Sequence, residues 1–417
     1  MKKRILAAFM AAAMVVGIVS GCGSSKSSSK SNGKTSLNLW MPAFADADGK
    51  VTDKDFWTEK MKKFEKDNDC NVKVTIVPWD NYEEKYLTGT TSDNGPDVGY
   101  MYKEMFYDYI DMGALVNVDK YFTKKEKSNY IYYKQGYNDG GQYGLPVVVG
   151  NPRILVANMD ILKQAGIDKV PSTWDELTAA CKAVKEKVPN VAPFIQDWGN
   201  PHYGSLNEIF WPYFWSAGGQ IVDKKGNLTI NSPAGQKAVD YIYNMKKNGY
   251  LPDSCTSNDD TKETMKNGEA AMAIIASSNA LDLDGNINWD FQPVLEGPAG
   301  AKTFVAADSL VMFDKCENKD LAAKLMKYIT SADVMSDFHK KVSEQPPITK
   351  DETYTGDKRF ENLFSDYADN FETLPVFKGA TSMYDSLFKN MQSMMLGDMK
   401  SSEVLKQTTD YYDSNLK

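Results

Sequence analysis

Histidine is nearly absent from this chain: 417 residues contain two, His202 and His339. A metal centre built on imidazoles, or a Ser-His-Asp triad, has almost nothing to be assembled from. Cysteine is also sparse. Cys70, Cys181, Cys255 and Cys316 follow no zinc-ligand spacing, and the three ways of pairing them stay open. Cys181 falls in the helical pattern after Trp174 and reads as a buried thiol. The chain has no nucleophile elbow, zinc motif or phosphate loop. Asp46-Ala-Asp48 lacks the further oxygen ligands that a calcium loop needs. No metal and no cofactor are therefore expected. Basic charge is in deficit, with 48 Lys and Arg against 56 Asp and Glu and a formal net charge of −8. Nucleic acid and anionic membrane surfaces are poor partners for such a chain. Long apolar runs are missing too, and the longest, Ile5 to Val19, is too short to span a bilayer as a helix.

That run follows the basic Met1-Lys-Lys-Arg4 and ends in Val19-Ser-Gly-Cys22. The pattern reads as a signal peptide, and its end resembles the lipobox of bacterial lipoproteins. Residues 1–21 are then expected to be removed, and Cys22 to become a diacylated N-terminus. Two acyl chains suffice for stable membrane attachment. The Ser/Gly/Lys-rich remainder of 22–35 reads as a flexible tether. A lipid-anchored, extracytoplasmic monomer is expected, touching the membrane only through its anchor.

The mature chain is long enough for two cores. Leu37, Leu39 and Met41 alternate as a strand, Trp57, Met61 and Phe64 mark a helix, and Val72, Val74 and Ile76 alternate again. A short helix with Tyr82 and Tyr86 precedes a third strand, Val98 to Met101. Strand-helix-strand order with short links implies a parallel α/β sheet. Ligands of such sheets lie at the carboxyl ends of strands. That rule places Phe44 to Asp46, and Tyr102 and Glu104, beside a cleft. Further on, Trp174 reads as a packing residue under a Ser172 or Thr173 cap, and Asn318 caps a helix through Leu321, Leu325 and Tyr328. Met383, Leu387 and Met391 form an inward stripe that leaves Tyr384 facing outward.

The densest aromatic stretch is Ser205 to Gly219, SLNEIFWPYFWSAGG. Ser205 and Glu208 have capping-box spacing, and Gly218-Gly219 is a stop signal. One helix is expected, kinked at Pro212, with Trp211 and Trp215 on one face. Trp198 and Tyr203 stand in a second aromatic-polar run just before it. Flat rings beside planar hydrogen-bonding groups suit a neutral sugar, which has an apolar face and a rim of hydroxyls.

Several segments together resemble the extracellular solute-binding proteins of ABC importers, in the branch of maltose-binding protein and other oligosaccharide binders. They are the lipobox, Gly95-Pro-Asp97-Val98, Met112-Gly-Ala-Leu115, Tyr143-Gly-Leu-Pro146, Ala157-Asn-Met-Asp160, Gln164-Ala-Gly166, Pro171-Ser-Thr-Trp-Asp-Glu-Leu177, Trp211-Pro212 with Gly218-Gly219, and Gln345-Pro-Pro-Ile348. The resemblance implies a two-lobed α/β fold of mostly parallel sheets flanked by helices, with strand crossings as the hinge. One lobe would be 36–148 plus 303–345 and the other 149–302 plus 346–417. It also implies a sugar held between the lobes, permease subunits as partners, and no catalysis. The cleft contacts it implies are Phe44 to Asp46, Tyr102 to Glu104, Asn151 to Arg153, the Trp-Pro helix with Glu208, Trp211 and Trp215, and Tyr384. Arg153 and Asp308, near the crossings, would engage hydroxyls or pair with each other. Ala276-Ser277-Ser278 departs from the maltose-binding pattern, where an aromatic platform stands. Two alternatives are a surface glycoside hydrolase, which needs two carboxyl groups about 5–9.5 Å apart, and an importer protein for a non-sugar solute.

Overall fold

The computed structural model describes residues 34–45, 51–92, 95–138, 140–258 and 260–417. Cys22, the signal segment and Asp46 lie outside them. Two sheets organise the described chain. Their strands are β1 (Thr35–Pro42), β2 (Cys70–Val77), β3 (Val98–Met101), β4 (Gly144–Gly150), β5 (Arg153–Asn158), β6 (Met272–Ala276), β7 (Trp289–Gln292) and β8 (Ala306–Met312).

The first sheet has the order β2-β1-β3-β8-β4 and the second β6-β5-β7. The alternation read from the sequence puts Leu37, Leu39 and Met41 in the core. β1 pairs in parallel with β2 and β3, Leu39 lying opposite both Val74 and Val98. The helix Asp53–Asn68 links β1 to β2 and buries Phe56, Trp57, Met61 and Phe64. Thr52 caps it by accepting from the Asp55 amide.

The expected parallel order stops at β3. β8 runs antiparallel to both β3 and β4, and β5 is antiparallel to both of its neighbours. The cause is the way the chain changes sheets. β4 leaves the first sheet and becomes β5 through Asn151 and Pro152 alone, whereas β8 carries the chain back. An outgoing and a returning strand side by side must be antiparallel. A bulge at Asp308/Ser309 interrupts the β8–β4 register at this passage.

Asn151 is held at φ 52°, where a non-glycine residue is uncommon. Its Oδ1 accepts from Ser277 Oγ (3.2 Å) and from the Ser278 amide (3.0 Å). The crossing is thereby fastened to the turn after β6. A Cβ at Gly150 would come within 2.6 Å of Pro346 Cγ, so the strand end packs tightly as well.

Thr173 and Asn318 cap their helices as expected, and Trp174 packs on Tyr241 with ring centroids 4.3 Å apart. Cys181, Cys255 and Cys316 are buried free thiols.

Candidate functional site

A cavity of about 480 Å³ opens between the two sheets. The carboxyl ends of the parallel strands supply one wall: Trp79 and Asp80 after β2, and Tyr102 and Glu104 after β3. β8 adds Ala306 and Asp308. The other wall holds Arg153 at the start of β5, Ala276 at the end of β6 with Asn279 just after it, and the segment from Asp197 to Glu208, which ends in the short helix Leu206–Ile209. Backbone bonds set that segment in place, because Ala192 donates to Glu269 O and Ile195 to Met272 O, beside β6.

An aromatic column underlies the first wall. Trp79 stacks on Tyr82 (5.1 Å) and Tyr82 on Tyr86 (4.7 Å), while the Trp79 indole N–H donates to Ala43 O at 2.6 Å. Of the eight tryptophans in the sequence, Trp79 alone lines the cavity. Glu83, on the helix Tyr82–Thr91, reaches the opposite wall and lies 3.0 Å from His202 Nε2. Tyr102 also donates its hydroxyl to Glu83, and the Tyr203 hydroxyl lies 3.4 Å from that of Tyr102. Burial alone would raise the Glu83 carboxyl, but these donors hold it below the usual carboxylate range.

Glu104, Asp308 and Asp197 on the walls are pushed the opposite way. Burial, then the charge of Asp308, raises Glu104 to about 8. Burial also raises Asp308 to about 7, although it accepts a hydrogen bond from the Tyr100 hydroxyl. Asp197 is raised well above its ordinary value, first by burial and then by Glu208, while accepting from Ser205 Oγ at 2.9 Å. Arg153 donates Nε to Glu208 Oε1 at 2.6 Å and Nη1 to Asn151 O at 2.8 Å, and it lies over the Phe304 ring at 4.8 Å. The expected Arg153–Asp308 alternative is thus replaced by an Arg153–Glu208 pair.

Six expected contact residues meet on the walls: Tyr102, Glu104, Arg153, Tyr203, Glu208 and Asp308. The others are elsewhere. Phe44 packs edge-on against Trp79, Tyr100 and Phe338. Asn151 is used in the crossing. Trp198 is 1% exposed and stacks on Phe388, and its indole donates to Gln196 Oε1 at 2.9 Å. Trp211 and Trp215 are buried in an aromatic cluster behind the wall. Tyr384, expected to face outward, is fully buried against Trp211 and Tyr203, and its hydroxyl has no hydrogen-bond partner among the described residues.

The single kinked helix is also corrected. The chain forms Leu206–Ile209, breaks at Phe210 (φ −135°, ψ −53°), and restarts as Trp211–Ser216 with Pro212 in its first turn. Proline is tolerated there because the first-turn amides have no helical acceptor. Ser205 makes no cap, because its backbone is itself helical (φ −57°, ψ −23°), and its hydroxyl donates to Asp197. The break turns Asn207 and Glu208 to the cavity and the indoles to the core.

Sequence reasoning missed Trp79 although its signal was present. Trp79 stands at the carboxyl end of β2, where the strand-end rule holds as it does after β1 and β3. Asp197 and His202 lay within the aromatic-polar run already singled out, whereas Asn279 and Phe304 carried no local signal.

The model of the family described as bacterial extracellular solute-binding protein matches residues 48–336. The chain belongs to that family. A binding protein of Brucella abortus is 26% identical over 300 residues, which cover 68% of this chain and 70% of that one. The diacetylchitobiose binding protein DasA of Streptomyces coelicolor is 25% identical over 299 residues, covering 68% of each chain. Among solved structures, the ABC substrate-binding protein Lmo0181 of Listeria monocytogenes, in complex with cycloalternan, superposes with a TM-score of 0.78 at 20% identity. The match covers 91% of this chain and 98% of that one. The fold is accordingly the two-lobed α/β architecture of periplasmic binding proteins, with sheets flanked by helices. This solute-binding protein is extracytoplasmic, and its family is one of transport rather than catalysis.

Proposed function

We propose that this solute-binding protein captures an oligosaccharide between its lobes and delivers it to the permease subunits of an ABC importer. The observation that carries the reading is the cavity itself. It joins an aromatic wall at strand carboxyl ends to a polar loop on the other sheet, as a ligand with apolar faces and a hydroxyl rim requires. The sugars named for the relatives, diacetylchitobiose and cycloalternan, support the same class. The lobes are 36–148 plus 303–345 and 149–302 plus 346–417. Closure is hinge bending at the crossings, including Asn151-Pro152, with sugar favouring the closed population.

A thermal-shift screen against an oligosaccharide panel tests the reading. A ligand at 100 times its dissociation constant adds about 2.7 kcal/mol of stability. With the best sugar in hand, Trp79→Ala should weaken binding by about 2 kcal/mol, roughly thirtyfold, as loss of a buried aromatic anchor does. Unchanged affinity in that variant would remove Trp79 as the sugar platform.

Attachment at the outer face of the membrane through a lipidated Cys22 belongs to the same proposal. Cys22→Ala should abolish acyl labelling and release the protein from the membrane fraction. Labelling equal to wild type would refute the anchor.

A further inference from the structure

The cavity walls are strongly one-sided in charge. Asp80, Glu104, Asp197, Glu208, Asp260 and Asp308 face it, against Arg153 and Lys262 as permanent cations. Both cations are engaged. Arg153 is bound to Glu208, and Lys262 Nζ lies 2.9 Å from Asp282 Oδ2.

Glu104 is the most exceptional of these acids. Only 8% of it is exposed, it lines the cavity, and no other described residue donates a hydrogen bond to its carboxyl. Its chain neighbour Lys103 donates instead to Gln135 Oε1 at 2.9 Å. Asp308, whose charge acts directly on Glu104, has a single side-chain donor, the Tyr100 hydroxyl. A buried carboxylate that accepts only from its own backbone amide is unfavourable unless it takes up a proton or finds a cation. The pair therefore presents acceptor capacity that no side chain among the described residues fully meets.

We propose that the cavity is specific for an oligosaccharide bearing a basic amine, whose ammonium group lies between Glu104 and Asp308. The proposal rests on the carbohydrate reading above and names its substrate class. An ammonium offers three donors and no acceptor, which suits two carboxylates that line one cavity. Tyr102 and Tyr203, both on the walls, add ring surface on which a cation is attracted. A neutral sugar would bind the pair only in its protonated form, whereas an ammonium takes the place of those protons.

A proton linkage follows. With Glu104 at about 8 and Asp308 at about 7, the empty pair holds protons near neutrality, and an ammonium displaces them. The other groups acting on the pair are Glu83, Lys103, Arg153 and the hydroxyls of Tyr82, Tyr100, Tyr203 and Tyr384. The Tyr hydroxyls are all raised by burial and stay neutral in this range. Amine binding should therefore release protons between pH 6 and 8.

The test uses matched oligosaccharides, one series with free primary amines and the other with the same amines N-acetylated. Titration calorimetry in two buffers of different ionisation enthalpy reads affinity and proton release together. The expected result is that the tightest ligand carries a free amine and that N-acetylation weakens it at least tenfold. Glu104→Gln should cut the preference between paired members at least tenfold, with its folding checked by thermal melting. If a neutral member binds as tightly as its amine counterpart, the amine assignment falls while the carbohydrate reading stands. If no member of either series binds, both fall.

Discussion

Trp211→Ala should lower stability by about 3–5 kcal/mol while leaving the sugar affinity of the folded protein within threefold of wild type. Trp211 is 1% exposed and meets Phe210, Phe214, Trp215 and Tyr384 at centroid distances of 4.9–5.7 Å. Large-to-small truncation in such a cluster loses both the transfer free energy of the indole and the contacts around the cavity it leaves. Denaturant unfolding reads the stability, and titration at a temperature where the variant is folded reads the affinity. Trp79→Ala is the complementary variant, because its indole is on the wall rather than behind it. A Trp211 variant as stable as wild type but unable to bind sugar would reverse the assignment and return the platform to the Trp-Pro helix.

The contrast between these two tryptophans shows what the sequence could and could not convey. Strand alternation, caps and the strand-end rule are local, so β1 to β3 and the sites at Tyr102 and Glu104 were legible. Aromatic density is not directional. A run such as Phe210 to Trp215 looks the same whether its rings face a ligand or a core, and the choice depended on a helix break at Phe210. Proline signalled that break, but its place in the first turn of a new helix, rather than inside one, was a matter of two residues. Arg153, Glu208 and Asp308 could be named as site residues, yet Arg153 pairs with Glu208 because the fold sets the helix Leu206–Ile209 beside the start of β5. No spacing in the chain encodes that geometry.

That pairing leads to the second large effect. Arg153→Ala should destabilise the protein by about 3 kcal/mol or more at pH 8, because it leaves Glu208 buried without its cation. The side chains are 13% and 19% exposed, and the guanidinium also covers the Phe304 ring, so packing is lost with the charge. Burial raises the Glu208 carboxyl from its ordinary 4.5 even with Arg153 present, and without Arg153 the rise should be larger. A folded state that holds a proton more tightly than the unfolded chain loses stability as pH rises through the folded value. The deficit of Arg153→Ala should thus be greatest at pH 8 and shrink toward pH 5, where Glu208 is protonated in the folded variant. Replacing both partners, Arg153→Met with Glu208→Gln, should recover most of the loss, since no uncompensated charge remains. Urea unfolding of the three proteins at pH 5 and pH 8 separates the terms. A single variant within 1 kcal/mol of wild type at pH 8 would show that Glu208 is solvated in solution. The pair would then be a cavity-mouth contact rather than a fastening of the crossing.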